Sequence, residues 1–127
     1  MELSQVYLVV DDLGSERGFH ERALGLSPRR VGESSVEYAV GDVDLKLQTA
    51  FPDDVLSEYG MRPPSREPGD DAVVVLETGG LDDAAGRLSR AFEDGVDGEL
   101  MYGPRETDWG ERILLVRSPS DHVYELR

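Results

Sequence analysis

The alternation of apolar and polar positions opens with a strand. From Gln5 to Val10, the side chains of Val6, Leu8 and Val10 fall on one face of an extended run. Asp11-Asp12-Leu13-Gly14 interrupts it, and Ser15 reads as the N-cap of a helix over Glu16 to Leu24. Within that helix Phe19, Ala23 and Leu24 recur at helical spacing, and Gly25 is placed as its stop. Three short strands follow, Pro28 to Val31, Val36 to Val40 and Val43 to Gln48, with Gly41-Asp42 as a tight turn between the last two. A short helical turn is expected between Phe51 and Tyr59.

Met61 to Asp71 holds three prolines and no periodicity, which marks a linker. The pattern then restarts. Ala72 to Leu76 reads as a strand and Leu81 to Glu93 as a helix, with Asp82 and Asp83 in its first turn where carboxylates suit the helix dipole. Gly95 ends the helix, and strands are expected around Glu99 to Tyr102, at Arg112 to Val116 and at Val123 to Leu126. The same order, strand, helix, three strands, thus occurs twice, which argues for an internal duplication. The expected class is α+β: a single domain with module one at about 1–59, a linker at 60–71 and module two at 72–127.

Charge narrows the function classes. The 127 residues include 27 acidic and 13 basic side chains, for a net charge of -14. Such a field repels nucleic acid and anionic lipid, so neither is expected as a partner. Of the 13 basic residues only Lys46 is a lysine; the rest are Arg. An acidic surface nearly free of Lys suits a salt-rich cytoplasm, where screening over roughly 3 Å makes the self-repulsion tolerable. A GC-rich genome that favours Arg codons is the alternative. There is no Cys, which excludes disulfides and thiolate chemistry. No apolar run approaches the ~18 residues of a membrane span, and Met1-Glu2-Leu3-Ser4 does not read as a signal peptide, so a cytoplasmic location is expected.

Two stretches together resemble a known family. The first half carries Val10-Asp11-Asp12-Leu13, then Ser15, Phe19-His20 and Leu24-Gly25-Leu26. The second half carries Trp109-Gly110-Glu111-Arg112 and ends in Ser118-Pro119-Ser120-Asp121-His122-Val123-Tyr124-Glu125-Leu126. In order and spacing these are similar to motifs of the vicinal-oxygen-chelate superfamily of glyoxalase I, bleomycin-resistance proteins and extradiol dioxygenases. The resemblance implies two βαβββ modules forming a curved mixed sheet, with helices on the convex face and a ligand on the concave face. It also implies a homodimer.

In metal-dependent members the ligands sit on the first strand, on the fourth, on the first strand of the second half, and at the Glu of the final E-L. Here those places fall on Gln5, Lys46, the apolar run Ala72-Val73-Val74, and Glu125. Gln5 and Glu125 supply oxygens and would be the ligands if a divalent ion binds. A charged Lys has three donors and no lone pair, so Lys46 cannot ligate. No metal cofactor is therefore expected. Strand alternation puts Asp44, Lys46 and Gln48 on the face opposite Val43, Leu45 and Leu47, so Lys46 is expected to meet Gln5 and Glu125 in the pocket and supply the charge a metal supplies in relatives. The alternative is a Lys that guards an exposed strand against edge pairing.

The expected ligand-binding set is Gln5, Tyr7, Lys46, Gln48, Trp109 and Glu125. Trp109 stands in a polar loop, an odd place for core packing and a suitable one for a stacking ring. Tyr102 offers a hydroxyl, and Arg105 and Arg112 offer forks for an anion or offset the acidic surface. His20 reads as structural and His122 as exposed. Three functions stay open: a metal-independent small-molecule-binding protein; an enzyme, either a glyoxalase-like isomerase or lyase (or dioxygenase-like) using Gln5 and Glu125 with an ion, or a metal-free one using Glu125 as general base; and a dimeric interaction module with a vestigial pocket.

Overall fold

A computed structural model describes residues 1–127 apart from Ser65, Arg66 and Pro68. The expected linker 60–71 therefore lies partly outside the described residues. Among the described residues, eight strands form two four-stranded mixed sheets. The first comprises β1 (Gln5–Val10), β2 (Pro28–Val31), β3 (Ser35–Val40) and β4 (Val43–Thr49), in the order β1-β4-β3-β2. The second comprises β5 (Val73–Leu76), β6 (Glu99–Glu106), β7 (Arg112–Arg117) and β8 (Val123–Leu126), in the order β5-β8-β7-β6. In both, the first strand pairs in parallel with the last, and the remaining pairs are antiparallel. The repeat of sequence elements is thus a repeat of topology, in an α+β fold.

Contacts divide the chain into two compact units, Met1–Leu13 with Ser27–Gly69, and Gly14–Leu26 with Asp70–Arg127. In the first unit the alternation of β3 and β4 resolves as expected. Val36, Tyr38, Leu45 and Leu47 share one face and are buried, whereas Glu37, Asp44 and Lys46 lie on the other. Helix α2 (Asp53–Glu58) buries Leu56.

In the second unit, helix α3 (Leu81–Glu93) buries Ala84, Leu88 and Ala91, a spacing that sets one stripe inward. It packs on the helical segment of residues 14–26 and on β6 and β7. That segment departs from expectation. Helix α1 runs Leu13–Gly18, starting three residues before Glu16, and passes into a π-helical turn at Phe19–Ala23. Ser15 is therefore inside the helix and not its cap. The earlier start and wider turn rotate Glu16, Phe19 and His20 to full burial. Phe19 stacks on Phe92 at 6.4 Å between ring centres and meets Tyr124 at 5.7 Å. No helix among the described residues is long and apolar enough to cross a membrane.

Candidate functional site

Strand β6 builds the site by breaking its own register. Tyr102 stands opposite Leu115 and Arg105 opposite Ile113, so Gly103 and Pro104 together face Leu114 alone. One extra residue is a β-bulge, and it brings two side chains three positions apart onto one face, where a regular strand would oppose them. β6 is accordingly longer than the Glu99 to Tyr102 expected from sequence. The Arg105 guanidinium carbon then lies 4.2 Å from the centre of the Tyr102 ring.

The hairpin loop beyond β6 is held by its own first residue. Thr107 Oγ1 donates to the Glu111 carbonyl at 2.8 Å and accepts from the Glu111 amide at 3.1 Å, while the Thr107 amide donates to the Glu111 carbonyl. The loop therefore displays Trp109 outward, 71% exposed, its indole nitrogen 3.4 Å from Glu111 Oε2. Tyr102, Arg105, Thr107, Asp108 and Trp109, over Ile113 and Leu115, line a cleft of about 290 Å³. Its floor is apolar, two of its walls are aromatic rings, and its rim carries one guanidinium and one carboxylate.

Glu125 lies on the same sheet face, in register with Val75 and Leu115. Its carboxylate accepts from Arg127 Nε at 2.8 Å, and Arg127 also reaches Glu111 at 3.2 Å. Across the sheet Glu125 faces no second side-chain donor for an ion. The neighbours of Glu125 across the sheet are hydrocarbon, and an Arg already engages its oxygens. Among the described residues no group of three or more His, Asp or Glu is placed to hold an ion.

In the first unit, Tyr7 is in register with Lys46, Lys46 with Glu37, and Gln5 with Asp44. These side chains and Gln48 share one face. Gln5 does not present a free amide there: its Nε2 donates to Glu37 Oε1 at 3.1 Å, and Arg29 and Arg30 approach Glu37 at 3.6 and 3.8 Å. Arg29 also pairs with Asp44. Gln48 is 7% exposed and donates to the Thr49 carbonyl. Edge protection by Lys46 is overturned, because β4 is an inner strand flanked by β1 and β3.

A second group of polar side chains is wholly buried. His20 Nδ1 lies 2.7 Å from the Glu16 carbonyl, which can only accept, so Nδ1 carries the proton. Nε2 then accepts from the Tyr124 hydroxyl. Burial pushes the imidazole down to about 4, so it is neutral at pH 7. The Glu16 carboxylate accepts through Oε1 from Ser118 Oγ at 3.1 Å and from the Ser120 amide at 2.6 Å, tying α1 to the turn between β7 and β8. Oε2 has no hydrogen-bond partner, and burial raises the carboxyl above its ordinary range.

Glu16, Asp108, Ile113 and Leu115 were not expected at a site or in a buried cluster. For the cleft, a sequence signal existed: Gly103-Pro104 inside an otherwise strand-like run marks a bulge. For Glu16 there was none, since a Glu on a helix is ordinarily solvated.

No family model matches the chain, and no curated protein matches it. Solved structures do. A glyoxalase-related enzyme from Fulvimarina pelagi aligns with a TM-score of 0.79 and 16% identity, over 99% of this chain and 86% of the other. A glyoxalase/bleomycin resistance protein/dioxygenase family enzyme from Burkholderia phytofirmans PsJN aligns at 0.77 and 13%, over 99% and 97%. A glyoxalase/bleomycin resistance protein/dioxygenase from Nocardioides aligns at 0.75 and 21%, over 99% and 82%. The likeness is one of fold: the chain shares the fold of solved glyoxalase/bleomycin-resistance/dioxygenase proteins.

Proposed function

We propose that this chain is a metal-independent small-molecule-binding protein whose ligand enters the cleft of Tyr102, Arg105 and Trp109. The observation that carries the reading is the cleft itself, aromatic walls over an apolar floor with a few polar groups at the rim, which is how ligand sites are usually composed. Binding is favoured over catalysis because the best-placed general base, Glu125, is engaged by Arg127 at 2.8 Å. Trp109 is the only Trp in the chain, so its fluorescence reports on this site alone. A thermal-shift screen of small molecules is expected to yield hits that also quench Trp109. Trp109→Ala is expected to weaken them roughly tenfold, the worth of about 1.5 kcal/mol of aromatic stacking. Hits that bind the Ala variant undiminished would place the ligand elsewhere.

The acid-rich, Lys-poor composition supports a protein adapted to concentrated salt inside the cell. Its urea midpoint is expected to rise between ~0.2 M and ~3 M potassium chloride, where the screening length shortens to roughly 3 Å. A midpoint that does not change with salt would remove the halophilic reading. Light scattering in the same series tests the pairing of two copies, which a mass of one chain would exclude.

A further inference from the structure

We infer that the cleft selects a planar anion, a ring system of one or two fused rings bearing a carboxylate, with Arg105 as its clamp. This rests on the cleft being the binding site. Several cations of this acidic chain are already paired: Arg17 with Glu21, Arg29 with Asp44, Arg112 with Asp82, Arg117 with Asp70 and Arg127 with Glu125. Arg105, like Lys46, Arg87 and Arg90, has no carboxylate partner among the described residues, although acidic residues outnumber basic ones by 27 to 13; what sets it apart is its seat in the cleft. Its guanidinium is instead seated over the Tyr102 ring. A ring beneath a guanidinium leaves the in-plane N–H donors free and holds them in one orientation, which suits a two-oxygen acceptor.

The rest of the cleft sets the shape of what that acceptor is attached to. Ile113, 3% exposed, and Leu115 give an apolar floor, and Trp109 supplies a flat, exposed wall. About 290 Å³ is at the lower end of ligand pockets, ~300–1,000 Å³, so the apolar part is small. Aromatic walls favour a flat partner. Asp108 on the rim opposes an anion, and it makes the reading testable in both directions.

Three probes share one planar skeleton and differ in charge: cinnamate, cinnamamide and cinnamylamine. Each is titrated into the full chain at a salt concentration that keeps it folded, and the single Trp indole resonance is followed. Cinnamate is expected to bind roughly tenfold tighter than cinnamamide, with cinnamylamine weakest. Arg105→Gln is expected to bring cinnamate down to the amide's affinity while the amide itself changes little. Asp108→Asn is expected to tighten cinnamate. If the amide or the amine binds as tightly as the acid, or if Arg105→Gln weakens all three alike, the cleft stands and the anion is wrong. If none of the three moves the indole resonance, both the anion and the cleft reading fall.

Discussion

Gly103→Ala is expected to lower stability by about 3 kcal/mol and to dismantle the cleft with it. The backbone at Gly103 has a φ of +76°, in the left-handed region where an L side chain costs about 1–2 kcal/mol. A Cβ there would also lie 2.4 Å from the Ile113 carbonyl oxygen and 2.9 Å from the Arg105 amide. Both obstacles are backbone, so no rotamer change relieves them, and β6 must shift off β7. That shift moves Tyr102 and Arg105, which the bulge holds on one face. Gly41, in the turn between β3 and β4, separates the two costs: its φ is +59°, and an added Cβ would meet nothing within 4 Å. Gly41→Ala is expected to cost only the conformational part, about 1 kcal/mol. Urea denaturation of the two variants, with Trp109 fluorescence as the probe of the cleft, decides the matter. Equal losses would mean that the bulge relaxes freely and does not hold the site.

Glu16→Ala is expected to cost a similar amount, about 3 kcal/mol, because it removes a buried acceptor for Ser118 and Ser120 and leaves a cavity. Glu16→Gln keeps that acceptor and most of the volume, so it is expected to cost much less than Glu16→Ala.

Glu16 and His20 titrate with opposite effects on stability. The unfolded imidazole takes its proton as pH falls through 6.5, and the folded one does so only at about 4. Between those values the unfolded chain binds more protons, so His20 makes stability fall as pH falls, by about 3 kcal/mol across the window. The Glu16 carboxyl is raised above 4.5, so there the folded chain binds more protons and stability falls as pH rises. The two slopes oppose each other just above pH 4.5. Subtracting the natural chain's profile cancels the contribution of the many surface carboxylates. Relative to it, Glu16→Gln is expected to gain stability as pH rises above 4.5, and His20→Gln to gain as pH falls below 6.5. Two variants with slopes of the same sign would refute the assignment.

Most of the fold was legible because it rests on local periodicity. β1, β2, α3 and β8 lie where alternation or helical spacing put them, and the duplicated order of elements became the duplicated order of two sheets. The beginning of α1 was misread because Ser15 is as good a cap in composition as its neighbours. Only packing against α3 and β8 decides which side of that helix turns inward. The edge-guard alternative for Lys46 failed for a related reason. A two-residue alternation says which face a side chain is on, but not whether its strand has a neighbour on each side.

The sequence by itself determined the class of fold and the alternation of both sheets, since each follows from residue type at a local position. Tertiary structure alone decided the rest. A bulge, not periodicity, gathers Tyr102 and Arg105 over Ile113 and Leu115, because sharing a face across a register shift depends on the partner strand. Likewise, the burial of Glu16 and the neutral state of His20 depend on desolvation, which residues distant in the chain impose when they close around them.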